Sequence, residues 1–85
     1  MVETRRVHSA SNDEAFHAFK FKCLERFMER DWGDICLEDK KANDNDPDYQ
    51  LASYKFPPSV SVEGEKKLWI IFDGQTNTIL FPSEY

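Results

Sequence analysis

This chain is poor in most of the features that announce a chemistry. It has only three glycines in 85 residues, well apart, so no glycine-rich loop can cradle a phosphate. No apolar run approaches membrane-spanning length, and Met1–Arg6 lacks the apolar centre of an export signal. The two cysteines, Cys23 and Cys36, form no C-x-x-C pair. Without an export signal they are expected as reduced thiols in the cytoplasm and not as a disulfide. There is no H-E-x-x-H, no G-x-S-x-G elbow, and no His placed on a helix to activate either cysteine. Basic charge is also scarce: 11 Lys and Arg against 16 Asp and Glu, a net charge of −5. Direct binding to nucleic-acid phosphates is therefore not expected. Together these absences point away from an enzyme.

What is present is an uneven distribution of acid. Asp31, Asp34, Glu38, Asp39, Asp44, Asp46 and Asp48 face only Lys40 and Lys41 within residues 31–48, so the whole net charge lies in that segment. A solvated acidic run is not a general acid–base pair. It is either a solubilising loop or a surface that meets and steers a basic partner. Asp44-x-Asp46-x-Asp48 imitates the start of a calcium loop, but Tyr49 and Lys55 stand where glycine and the bidentate glutamate are needed.

The rest of the pattern predicts a single α+β domain over residues 1–85. It has one long and one short helix packed on a mostly antiparallel sheet of three to four strands. Residues 2–8 read as a short strand or extended arm. Ser11 and Glu14 have capping-box spacing, predicting a helix from Ser11 to about Arg30 with Phe16, Phe19, Cys23 and Phe27 on its buried face. A second stripe, His17, Phe21, Leu24 and Met28, adjoins it. Gly33 is expected to close this helix and Asp34 to cap a short one over 35–43, with 44–48 as a loop. Residues 50–56 alternate as a half-buried strand. Lys67–Phe72 and Thr78–Phe81 flank a Gly/Asn turn and read as a hairpin, with the chain stopping almost as its second strand does. Both faces of Lys67–Phe72 are apolar, which predicts a central strand. Leu68, Ile70 and Phe72 face the helix; Trp69 and Ile71 await a cover from the N-terminal arm, a second subunit or a partner.

D-W-G-D (31–34), E-D-K (38–40) with Asn43, L-x-S-Y (51–54), K-L-W-I-I (67–71) and T-I-L-F-P-S-E-Y (78–85) together resemble a family of small bacterial proteins carried on plasmids, prophages and integrative elements. The resemblance covers roughly residues 27–85; this chain departs from it at Asp73–Asn77 and at Pro57-Pro58. The family supplies no enzymatic motif. The resemblance implies a mobile-element origin, and size and context associate such proteins with inhibitors of host defence, the anti-CRISPR proteins among them.

Two functional expectations follow. In the first, the seven acids, with Phe21 and Met28 as apolar anchors beside them, bind a basic surface of a protein partner. That partner would be a CRISPR effector nuclease in a bacterial cytoplasm, whose nucleic-acid loading or cleavage is blocked. In the second, the chain is a zinc-stabilised structural or regulatory module, homodimeric through the Trp69/Ile71 face. His8, Asp13, His17 and Cys36 are its metal-ligand candidates, with Asp13 and His17 four apart on one helix. The bland alternative for His17 is a surface imidazole paired with Asp13. For Trp32, Tyr54 and Tyr85 it is structural packing.

Overall fold

Residues 1–85 are all described by the computed structural model. The order is β1 (Val2–Glu3), α1 (Arg5–Ala10), α2 (Glu14–Met28), α3 (Leu37–Asn45), β2 (Gln50–Lys55), β3 (Lys67–Phe72) and β4 (Asn77–Leu80), then a 3-10 turn at Pro82–Glu84. The sheet order is β1-β4-β3-β2. Both β2–β3 and β3–β4 are antiparallel and the short β1–β4 pair is parallel. This is the expected α+β architecture with β3 central.

Alternation along the strands sets the two faces. Ala52 and Tyr54 of β2, Leu68 and Ile70 of β3, and Ile79 and Phe81 at β4 are buried against Val7 of α1 and Phe16, Cys23 and Phe27 of α2. Phe16, Phe56 and Phe81 meet edge-on or tilted, with ring centroids 5.8–6.4 Å apart, each pair adding about 0.5–1.5 kcal/mol beyond its buried area. Cys23 sits in this core, and burial pushes its thiol up to about 12. A thiol so placed is a packing group and a poor nucleophile.

The N-terminal third differs from expectation. Residues 5–10 are helical, and Thr4 caps them by accepting from the Val7 N–H. Ser11 ends α1 instead of opening α2; its hydroxyl donates to the Val7 carbonyl (2.8 Å). Asp13 is the true cap of α2, accepting from Phe16 N (3.2 Å). The spacing Ser11/Glu14 and the pair Asp13/Phe16 compete for the same start, and in the tight three-residue link between the helices Ser11 stays helical while Asp13 is extended. Lys20 is buried despite its charge, because Nζ donates to Glu3 Oε2 and Ser11 Oγ, both at 2.8 Å.

The far end of α2 also differs from expectation. Arg30, at φ 63°, is the left-handed residue. Arg30 N and Asp31 N bond to the carbonyls of Phe27 and Arg26, which is the Schellman closure. Gly33, at φ 75°, serves a different purpose described below. Cys36, not Asp34, precedes α3, and it makes no side-chain cap bond. The helix runs two residues beyond Asn43, into the stretch expected as loop.

The sheet face bearing Trp69 and Ile71 is covered in part by the chain's own C-terminal turn. Tyr85 meets Trp69 edge-on at 5.6 Å. No helix is long and apolar enough to cross a membrane.

Candidate functional site

The acidic segment is fastened to the outer edge of β2. In the β2–β3 register, Gln50, Ala52 and Tyr54 lie opposite Phe72, Ile70 and Leu68. The backbone groups of Leu51, Ser53 and Lys55 turn outwards, where an unpaired edge would invite another chain. Each finds a partner from residues 32–43. Asn43 Nδ2 donates to Leu51 O (2.8 Å), and Leu51 N donates to Asn43 Oδ1 (3.1 Å), so one side-chain amide imitates a strand. Ser53 N donates to Trp32 O (3.2 Å), and Asp34 N to Ser53 O (2.6 Å). Lys55 N donates to Asp34 Oδ2 (3.0 Å).

Gly33 makes this approach possible. A Cβ there would collide with the Ser53 carbonyl and the Tyr54 ring, and its positive φ excludes most side chains. Trp32 is buried against Phe27 at 5.3 Å and donates Nε1 to Asp44 Oδ1 (3.1 Å). The Tyr54 hydroxyl donates to Asp31 O (2.8 Å). Trp32 and Tyr54 are thus structural, as their bland reading held.

Two of the seven acids are committed to this frame. Asp31 pairs with Arg26 (2.7 Å) and accepts from Gly33 N (3.1 Å). The Arg26 guanidinium, ahead of the Gly33 N–H, holds its carboxyl below the usual value despite some desolvation. Asp44 accepts from both Trp32 and Arg30 (3.1 Å). Two more use one oxygen on backbone: Asp34 on Lys55, and Asp46 on Asp48 N (2.9 Å). Glu38, Asp39 and Asp48 have no side-chain bond within the chain. All seven side chains reach the surface, so the segment is a fixed acidic surface and not a floppy loop.

The apolar anchors separate. Met28, 74% exposed, lines a cavity of about 210 Å³ with Arg30, Trp32, Gln50 and Phe72, next to the Arg30–Asp44 pair. Phe21, 53% exposed, lies two helical turns back, roughly 10 Å along α2, against His17 at 4.9 Å. Met28 borders the acidic surface; Phe21 shares its stripe on α2 but sits too far back along the helix to reach that surface.

The metal candidates do not converge. No three His, Cys, Asp or Glu side chains are grouped to hold an ion. Nδ1 of His8 faces Glu3 (3.2 Å), Asp13 is spent on its cap, His17 packs on Phe21, and Cys36 is exposed before α3. The helical spacing of Asp13 and His17 brought only those two near each other, and capping turned Asp13 to the backbone.

No family model, curated protein or solved structure matches the chain.

Proposed function

We propose that this protein is a non-catalytic inhibitor of anti-CRISPR type, encoded by a mobile element or phage and working in a bacterial cytoplasm. It binds a CRISPR effector nuclease through its acidic surface and blocks nucleic-acid loading or cleavage. The observation that carries the reading is that Glu38, Asp39 and Asp48 are displayed on a braced helix and loop and have no partner in their own fold. A basic nucleic-acid channel is the protein surface most complementary to such a cluster, and pre-ordering of the acids lowers the entropy lost on docking. Met28, beside the Arg30–Asp44 pair, adds an apolar contact at the rim. The resemblance of 31–34, 38–43, 51–54, 67–71 and 78–85 to mobile-element proteins supplies the biological setting.

The test is a charge reversal confined to the uncommitted acids: Glu38→Lys, Asp39→Lys and Asp48→Lys together, with folding checked by circular dichroism. Inhibition of effector cleavage and binding to the purified effector are expected to fall about a hundredfold or more, since each reversed contact costs roughly 1 kcal/mol or more. Full inhibition by the folded triple variant would sink the reading. Asp44 is excluded from the series because its loss also unpairs Trp32.

A further inference from the structure

Residues directly opposite one another in a sheet point to the same side. The face away from α1 and α2 therefore carries Leu51, Ser53 and Lys55 on β2, and Lys67, Trp69 and Ile71 on β3. Thr78 and Leu80 on β4 and Val2 on β1 complete it. No helix layer covers its centre. Tyr85 lies on Trp69 and neighbours Tyr49, whose phenol it raises. Val2, Tyr49 and Tyr85 are 52%, 42% and 77% exposed, Leu51, Trp69 and Ile71 are half-buried, and Ser53 and Leu80 between them are buried. The indole N–H of Trp69 is sealed off with no hydrogen-bond partner.

The charges at the two ends of this face have opposite sign. At one end Lys55 stands directly opposite Lys67, with Lys66 adjacent. Like charges placed opposite each other destabilise a sheet, and none of these three lysines has a carboxylate partner. Arg6, Lys20, Arg26 and Arg30, by contrast, are all paired. At the other end, about six strand residues or roughly 20 Å away, are Asp48 and Asp73. Asp39 and Asp46 stand there too, lining a hollow with Tyr49 and Leu51. An apolar centre between a basic end and an acidic end is self-complementary under a two-fold rotation.

We infer that this sheet face is the interface of a homodimer, with the two-fold axis in the interface plane and perpendicular to the strands. That axis reverses strand direction, so each lysine end lies over the partner's acidic end and the Trp69, Ile71 and Tyr85 cluster lies over the same cluster of the partner. An axis along the strands would stack lysine on lysine, and the charge pattern rejects it. Asp39 and Asp48 belong to this surface as well as to the effector-binding one, so the two associations compete for them.

Sedimentation equilibrium of the purified chain is the test. In about 50 mM salt the mass is expected to be twice the 10.0 kDa monomer, weakening in about 1 M salt, where screening acts within about 3 Å. Lys55→Glu with Lys67→Glu, and Asp39→Lys with Asp48→Lys, should each weaken self-association about tenfold or more. An equimolar mixture of these two double variants should form a heterodimer. Tyr85→Ala probes the apolar centre without changing the charge of either end and is expected to yield monomer. A monomeric wild-type chain, a dimer indifferent to both reversals, or double variants that stay apart when mixed would each overturn the inference.

Discussion

Two sets of acids share residues 31–48 and do opposite work. Asp31, Asp34 and Asp44 turn inwards to other parts of the fold and are consumed by Arg26, Lys55 N, Trp32 Nε1 and Arg30. Glu38, Asp39 and Asp48 turn away and are consumed by nothing in the chain. The first set makes the second meaningful. An acidic run held only by solvent would lose conformational entropy on binding, whereas this one is already fixed against β2. Composition gives both sets the same appearance, and only the geometry of the edge separates them. It follows that removing an inward group should cost stability and removing an outward group should cost binding, with little crossover.

The harshest break of the inward side is Gly33→Ala. The new methyl would strike Ser53 O and the Tyr54 ring, at a backbone conformation that alanine disfavours. Parting the 32–34 strip from β2 would unpair Ser53 and Lys55 at once. A loss of about 3 kcal/mol or more is expected, enough to unfold much of a small domain. Urea denaturation checks it; a variant within about 0.5 kcal/mol of wild type would show that the strip is not a fixed part of the edge.

Next in size is Asn43→Ala. Asn43 is 5% exposed and makes both bonds to Leu51, so its loss leaves one N–H and one C=O at a partly covered strand edge. A loss of roughly 2 kcal/mol is expected, with faster amide exchange at Leu51. If Leu51 exchange were unchanged, the imitation of a strand by Asn43 would be refuted.

These side-chain roles mark where the sequence stopped being legible. Period-2 alternation placed β2 and β3 nearly to the residue and named β3 as central, because burial on a pleated sheet is written directly into every second position. Helix 14–28 was equally visible through Phe16, Cys23 and Phe27. The caps were not. Ser11, Asp13 and Asp34 are each competent to cap, and the choice among them depends on which one the chain can hold extended. Gly33 and Arg30 were confused for a related reason: both have positive φ, but the demand on Gly33 comes from β2, twenty residues away. Lys20 was hidden because its partners, Glu3 and Ser11, lie on other elements. Asn43 could have been noticed as a polar residue in a short helix just before a strand, but no local rule says that its amide pairs with Leu51. The acidic surface was legible as charge and illegible as two populations.

The smallest effect in stability separates those populations by pH. Asp31 titrates below its ordinary value of 3.8, chiefly because Arg26 bonds its charged form, with Gly33 N–H second. A carboxyl lowered in the folded state takes up fewer protons there than in the unfolded chain. Its contribution is complete above the ordinary value and is lost as pH falls through the lower, folded one. Asp31→Asn should therefore flatten the decline of stability below about pH 4. Near pH 7 the same change should cost only about 0.5–1 kcal/mol, because the pair with Arg26 is half open to solvent and screened. Asp39→Asn is expected to leave the neutral-pH stability close to wild type, since no side-chain bond in the fold holds that carboxylate. Thermal melts of both variants from about pH 2.5 to 7 decide the matter. If Asp31→Asn cost no more than Asp39→Asn at pH 7 and kept the wild-type acid decline, the inward and outward acids would be energetically alike, and the division of the segment into a frame and a proposed docking surface would fall.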